Sequence, residues 1–351
     1  MFHLILSACL VDQPQVCAPR MLPAGDSDSR GECLQNGPAI ALDWIARHAD
    51  LRGSSTDCVE TAALPALEAR EIAPGVWFHQ GAAGQLSPQN RGQIANMGFV
   101  IGDSVAVIDT GGSRAEGEQL YIAIRKVTSA PISHVILTHM HPDHILGAEV
   151  FSEAGAAVVA DARLPDAVAR RRASWMISIP QQIGAEAFAG SAFAAVDQLI
   201  EAPATIPLGK RELVLTPAPV AHTDNDLTVL DRASGVMFTG DLVFQGLTPA
   251  IDGSLGGWLD WLALDPFPRT RLFVPGHGPL QTSWPDAIHP EVTYLQGLHD
   301  TTRKAIDAGM PLSQAIPAIV TMMKPLSDGW ADFAAITARN AATAYTELEW
   351  Q

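Results

Sequence analysis

The segment with the clearest chemical meaning is a run of three histidines and one aspartate, Thr138-His139-Met140-His141-Pro142-Asp143-His144. His139 and His141 are two residues apart, so both point the same way from an extended backbone. Asp143 and His144 follow the turn at Pro142 and face a second point. Neutral imidazoles and carboxylates are good zinc ligands, whereas buried imidazoles without partners are costly. The run therefore predicts a metal site.

Three further candidates follow later apolar segments. They are His222 in Ala221-His222-Thr223-Asp224, Asp241 in Thr239-Gly240-Asp241, and His277 in Pro275-Gly276-His277-Gly278. Each one alone is a weak signal, since a lone histidine in a glycine-rich turn is more often a hydrogen-bonded loop residue. Together, in this order, they complete two metal positions.

The elements that must position these residues alternate between strand and helix from about residue 70 onward. Apolar periodicity predicts a helix at 114–126, a helix-like segment at 164–184 and helices over the last 65 residues. Strands are predicted at 75–80, 97–101, 104–108, 133–138, 157–160, 212–217, 227–230, 236–239 and 272–274. Because the chemical residues follow strands, we expect an α/β sandwich with its site in loops at one edge.

Residues 1–68 are predicted to form a small module of their own, followed by the main domain over 69–351. We expect a strand at 2–11, a short helix that begins near Pro38 with Asn36 as its cap, and a linker at 53–68.

All four cysteines, Cys9, Cys17, Cys33 and Cys58, lie in this module. This concentration favours two disulfides and a periplasmic protein over four reduced, buried thiols. Of the three possible pairings, we favour the nested one, Cys17–Cys33 inside Cys9–Cys58.

Composition narrows the class of partner. The chain has 351 residues, 47% of them hydrophobic, and a net charge of -16. The acidic balance argues against nucleic acid and favours a small-molecule substrate. No uninterrupted apolar run reaches about 18 residues, so we expect no membrane span.

Taken together with Asp109-Thr110-Gly111, these motifs resemble the motif set of the metallo-β-lactamase superfamily over residues 70 to about 280. The resemblance implies an αββα sandwich with two Zn²⁺ ions. It assigns the first ion to His139, His141 and His222, and the second to Asp143, His144 and His277, with Asp241 bridging both. It makes Asp109 an orienting residue for a ligand, although Asp109 is equally suited to shaping the turn at Gly111 and Gly112.

More narrowly, the sequence resembles the quinoprotein relay system zinc metallohydrolases. The similar segments are Asn90-Arg91-Gly92, Asn96-Met97-Gly98-Phe99, residues 107–112, residues 222–227 and the cysteine-bearing N-terminus. This resemblance implies that components of a quinoprotein system are partners.

The expected function is a dinuclear zinc hydrolase. A metal-bridging hydroxide would attack a carbonyl-type bond in a thioester, lactone, ester or β-lactam, and Asp143 would orient it. The alternatives are a β-lactamase proper and a metal-containing carrier of a quinone cofactor. Trp175, Trp258 and Trp261 are candidate substrate contacts, and each is also typical of a core residue.

Overall fold

The N-terminal part is a three-stranded antiparallel sheet covered by one helix. The computed structural model of the chain describes residues 1–264 and 270–350. The strands are β1 (Phe2–Leu10), β2 (Cys17–Ser27) and β3 (Leu51–Glu60), in the order β2-β1-β3, and the helix is α1 (Arg30–Arg47). Leu4, Leu6 and Trp44 lie in the core between the sheet and α1.

Two larger sheets form the rest of the molecule. The second sheet has seven strands in the order β10-β9-β8-β7-β6-β5-β4, antiparallel from β4 to β7 and parallel from β7 to β10. Its strands are β4 (Arg70–Ala73), β5 (Val76–His79), β6 (Met97–Ile101), β7 (Val105–Ile108), β8 (Ile132–Ile136), β9 (Ala157–Asp161) and β10 (Gln198–Ile200). The third sheet has five strands in chain order: β11 (Ala204–Leu208), β12 (Arg211–Pro217), β13 (Leu227–Asp231), β14 (Val236–Phe244) and β15 (Leu272–His277).

Helices cover the outer faces of these two sheets. On the second sheet they are α2 (Arg114–Val127), α3 (Pro142–Ile145), α4 (Ala148–Glu153), α5 (Leu164–Ile183) and α6 (Ala185–Phe188). On the third they are α7 (Leu255–Leu262), α8 (Trp284–Asp307), α9 (Leu312–Met323) and α10 (Phe333–Leu348). Short 3-10 turns lie at Thr61–Ala63 and Lys324–Leu326. No helix in the described ranges has the length and apolar character needed to cross a membrane.

The core explains why the central strands read as continuous apolar runs. Ile108 and Ile136 pack against Phe238 and Val274 between the two sheets, while Val107 faces the helices on the opposite side. Strands buried on both faces need apolar side chains at every position. The arrangement confirms the predicted α/β sandwich with a helical C-terminus.

The expected helix start and the expected linker are both wrong. Helix α1 begins eight residues before Pro38, because Ser29 caps it by accepting a hydrogen bond from the amide of Glu32 in a Ser-x-x-Glu capping motif. Asn36 and Pro38 lie inside the helix. Much of the expected linker belongs to β3, which pairs with β1 as far as Glu60. Serine and threonine are tolerated there because one face of this edge strand is exposed.

Two disulfides are present, but the predicted pairing is wrong: they join Cys9 to Cys17 and Cys33 to Cys58. The antiparallel register of β1 and β2 places Cys9 directly opposite Cys17. Cys33 lies on the buried face of α1 and reaches Cys58 on β3. Nested closure was expected from chain order, whereas sheet register decides which cysteines meet.

A buried arginine joins the N-terminal sheet to the helices beside the histidine run. Arg114, at the start of α2, is 0% exposed, and its guanidinium donates hydrogen bonds to Glu118, Glu149 and Glu153 at 2.6–3.1 Å. Glu149 and Glu153 belong to α4, which closely follows His144 in the chain.

The same guanidinium contacts the N-terminal part directly. It donates to the carbonyl oxygen of Met21 on β2 and lies 4.8 Å from the centre of the Trp44 ring. Trp44 in turn donates from Nε1 to Glu153 at 2.7 Å. The N-terminal sheet is thus anchored by charged hydrogen bonds to both helices that flank the histidine run.

Candidate metal centre

The ends of three strands deliver the histidine and aspartate side chains to one place. His139 and His141 follow β8, and α3 begins at Pro142 and carries Asp143 and His144. Asp241 lies in β14 and His277 ends β15. His222 lies in the turn before β13. Gly276 is required here, since a β-carbon at that position would overlap Oδ1 of Asp241.

The side chains form two adjoining groups in which the ligand atoms lie within 4.8 Å of one another. The first group contains His139, His141, His222 and Asp241, and the second contains Asp143, His144 and His277. In the first, Nδ1 of His141 lies 3.1 Å from Nε2 of His139 and 3.0 Å from Nε2 of His222. In the second, Nε2 of His277 lies 3.4 Å from Oδ2 of Asp143.

Asp241 lies between the two groups. Its Oδ2 is 3.6 Å from Nε2 of His139, 3.5 Å from Nε2 of His222 and 3.4 Å from Nε2 of His277. Its Oδ1 is 3.2 Å from Nε2 of His144. One carboxylate therefore reaches imidazoles of both groups, which is the geometry a bridging ligand requires.

The electrostatics of the first group favour neutral imidazoles. Burial, together with neighbouring histidines, holds the pKa of His139 well below its usual range and lowers the pKa of His222 to about 3. A neutral imidazole is the form that binds a metal ion. Burial raises the pKa of Asp241, but His277, His144 and His139 outweigh this effect and hold its pKa well below the ordinary value, so the carboxylate is charged.

Two buried atoms also lack ordinary partners. Nε2 of His144 and Oδ1 of Asp241 are both inaccessible, and neither makes a hydrogen bond. Buried polar atoms without partners are uncommon and indicate a missing ion or water. Divalent cations fit this nitrogen and oxygen donor set.

The second ring nitrogen of each histidine is held by the surrounding protein. Nδ1 of His222 donates to the Ala250 carbonyl oxygen at 2.7 Å, and Nδ1 of His277 donates to that of Ile94 at 2.9 Å. Nδ1 of His139 lies 3.1 Å from Oγ1 of Thr138. These contacts turn the remaining nitrogen of each ring toward the centre.

Asp109 contacts the second group. Its Oδ2 lies 2.8 Å from Nδ1 of His144, and its two oxygens accept hydrogen bonds from the amide and hydroxyl of Thr138. Asp109 has φ +56°, a left-handed conformation that costs free energy in a non-glycine residue. The carboxylate therefore contacts a candidate ligand directly, which suits the orienting role better than a role in shaping the turn alone.

Comparison with known proteins assigns this arrangement to a family. Residues 90–284 match the metallo-beta-lactamase superfamily, which is more than half of the chain. The chain belongs to the metallo-β-lactamase superfamily. A metallo-beta-lactamase from Pontibacter korlensis superimposes with a TM-score of 0.52 at 21% identity, covering 66% of this chain and 99% of that one.

Two further structures share the superfamily fold. A metallo-beta-lactamase from Hirschia baltica has a TM-score of 0.51 at 20% identity, over 66% of this chain and 97% of that one. The sec-alkylsulfatase Pisa1 from Pseudomonas sp. has a TM-score of 0.58 at 17% identity, over 80% of this chain but 50% of its own. At such identities the likeness establishes the fold alone.

A cavity of about 370 Å³ opens onto the superfamily's histidine and aspartate groups. Trp175 lines it, as a candidate substrate contact should. Trp258 is fully buried, with its Nε1 donating to the Leu242 carbonyl oxygen, and Trp261 packs against Trp284 in the core. Neither is among the described residues that line the cavity. The prediction that Trp258 and Trp261 contact the substrate directly therefore does not agree with the structure. Both lie on α7, whose apolar face packs into the core.

Sequence reasoning did not single out Asp252 and Arg171, two charged residues that line this cavity. Oδ2 of Asp252 lies 3.1 Å from Nε2 of His141, and its Oδ1 accepts a hydrogen bond from Arg171 at 2.6 Å. Asp252 thereby holds the His141 ring as Asp109 holds His144. No local motif marks Asp252, because its partners are about 80 and 110 residues away in the chain.

Proposed function

We propose that this chain is a dinuclear zinc hydrolase that cleaves a carbonyl-type bond in a thioester, lactone, ester or β-lactam. The observation that carries the proposal is the position of Asp241, within 3.6 Å of imidazole nitrogens from both groups. A carboxylate that reaches both ligand groups favours a dinuclear centre over a mononuclear one, because one ion alone has no use for the second group.

The residues would hold the ions as the sequence suggests. His139, His141 and His222 would hold the first ion, Asp143, His144 and His277 would hold the second, and Asp241 would be shared between them. Nitrogen and oxygen ligands without sulfur suit zinc. When bound, the two ions supply Lewis acidity and a water molecule of lowered pKa.

The chain's own side chains supply position and proton transfer. Asp143 is partly exposed and lines the cavity, so its carboxylate is placed to orient the attacking water and accept its proton. Asp109 and Asp252 fix the rings of His144 and His141. Trp175 and Ile179 give the cavity an apolar wall against which the organic part of a substrate packs.

The location and the partners belong to the same proposal. Two disulfides indicate an extracellular or periplasmic protein, and we assign it to the periplasm. The resemblance to quinoprotein relay hydrolases supports an accessory role in a quinoprotein system. It rests on residues 90–92, 96–99, 107–112 and 222–227 and on the cysteine-bearing N-terminus. We also retain the division after residue 68 as the boundary between the N-terminal module and the hydrolase domain.

The test is turnover of a panel of thioesters, lactones, esters and β-lactams by zinc-loaded protein, before and after chelation. D143N should lower kcat by about a hundredfold or more, because the variant loses a charged metal ligand and the proton acceptor. D328N is the matched control: it makes the same chemical change at an exposed aspartate outside both groups.

Each outcome identifies a class of function. Turnover confined to the β-lactams would make the protein a β-lactamase proper. Absence of turnover on the whole panel, combined with tight binding of a quinone cofactor, would overturn the hydrolase proposal in favour of a carrier.

A further inference from the structure

Part of the cavity wall lies outside the region that matches the superfamily. The match covers residues 90–284, and the candidate metal ligands all lie within it. Gln85 and Leu86 line the cavity from before this region, and Ile336 and Arg339 line it from after, on α10. The candidate ligands on the floor of the cavity thus lie within the matched region, whereas parts of its rim lie outside that region.

Arg339 differs from the other cation of the cavity. Arg171 donates to Asp252 at 2.6 Å, so its charge is matched. Arg339 is exposed, and within the described ranges it forms no ion pair and no side-chain hydrogen bond. The chain carries 38 acidic against 22 basic residues. Of the two arginines that line the cavity, Arg339 is therefore the one whose charge no carboxylate of the described residues matches.

Contacts of helix α10 fix the backbone position of this arginine. Ile336 and Arg339 are three residues apart and share one face of the helix. The next residue, Asn340, is buried; it donates to the Pro249 carbonyl oxygen at 2.6 Å and accepts from the amide of Ile251 at 3.0 Å. Ala250 lies between Pro249 and Ile251 in the chain, and its carbonyl oxygen accepts the hydrogen bond from Nδ1 of His222. The backbone that carries Arg339 is thus fastened to the loop that orients a candidate ligand.

We infer that Arg339 binds an anionic group of the substrate, a carboxylate or another oxyanion, at the end remote from the bond that is cleaved. The apolar part of the substrate lies against Trp175, Leu247 and Ile336, which line the same cavity. The substrate is an amphipathic anion. This inference rests on the proposed hydrolase function and names the substrate class of the same site.

The first experiment compares pairs of esters of equal length on zinc-loaded protein. Each pair contains the para-nitrophenyl half-ester of a straight-chain dicarboxylic acid and the para-nitrophenyl ester of the matching alkanoic acid. At the best chain length, the ratio of kcat/KM for the charged ester to that for the neutral ester should fall about tenfold in R339Q. R232Q is the control, because it removes the same charge from an exposed pair with Glu212, outside the cavity lining.

The second experiment needs no turnover. Calorimetry measures the affinity of zinc-loaded wild type and R339Q for the corresponding free diacids and monoacids. The preference for a diacid over the monoacid of equal length should be about tenfold in the wild type and should disappear in R339Q.

The outcomes separate the two proposals. The inference about Arg339 is overturned if R339Q and the wild type show the same charged-to-neutral ratio and the same diacid preference. This holds even if both esters are hydrolysed. A different result would count against the hydrolase proposal but support Arg339 as an anion site. In that case no ester is hydrolysed, while the wild type prefers the diacid and R339Q does not.

Discussion

Replacing Arg114 by methionine should destabilise the protein strongly. The guanidinium is 0% exposed and donates to three carboxylates whose exposures are 12%, 22% and 6%. Methionine fills much of the same volume but leaves these carboxylates without their shared cation. Removal of one partner from a buried ionic network costs about 3–5 kcal/mol, so R114M should lower the free energy of unfolding by that amount.

The assay is equilibrium unfolding in urea, followed by tryptophan fluorescence. R232Q serves as the matched control, because its pair with Glu212 is exposed at 61% and 51% and should contribute less than about 1 kcal/mol. The double variant R114M/E153Q should recover part of the loss, since it removes one of the stranded charges. A loss in R114M as small as that in R232Q would refute the view that this network holds the N-terminal sheet to the helices.

Three other predictions test separate parts of the structure. D109N should weaken zinc binding by about 10–100-fold, measured by competition with a chelator, because it loosens the contact that orients His144; unchanged affinity would refute that role. Burial lowers the pKa of His48, but the hydrogen bonds to Glu149 and to the Trp44 carbonyl oxygen and the charge of Glu149 together outweigh burial and raise this pKa above 6.5. The stability that His48 contributes is therefore complete below that pH and is lost as the pH rises through the raised pKa. Urea unfolding should therefore show a larger deficit for H48Q near about pH 6 than near about pH 8, and a deficit independent of pH would contradict this. The double variant C33S/C58S should lose about 3.5 kcal/mol because its disulfide closes a 25-residue separation, and peptide mapping of the unreduced protein must recover that pair.

The fold could be predicted well because its strands are buried on both faces. The expected strand at residues 97–101 coincides with β6, and the expected helix at 114–126 differs from α2 by one residue. Continuous apolar runs of strand length, bounded by turns, are typical of strands that are covered on both faces. The proximity of the histidines and aspartates was also predictable, since the strands that precede them end at one edge.

The errors in side-chain contacts arise where strand register or packing, rather than a local pattern, decides which residues meet. Cys9 pairs with Cys17 because of strand register, which the spacing of cysteines does not reveal. Asp252 and Arg339 reach the cavity through a loop and a helix that lie outside any local motif. Trp258 faces the core rather than the cavity, and its neighbours in the sequence do not indicate which of the two its side chain faces. Local patterns thus predict elements, whereas side-chain direction depends on packing.

The most direct test of the proposed centre is the number and identity of the metal ions that it binds. Protein expressed with added zinc should be dialysed against metal-free buffer and examined by elemental analysis, with H277A as a companion variant. We predict two zinc ions per chain in the wild type and one in H277A, because His277 belongs to the second group and supplies one of its three ligand atoms. A single iron ion in the wild type, or no bound metal after zinc supplementation, would contradict the dinuclear zinc centre.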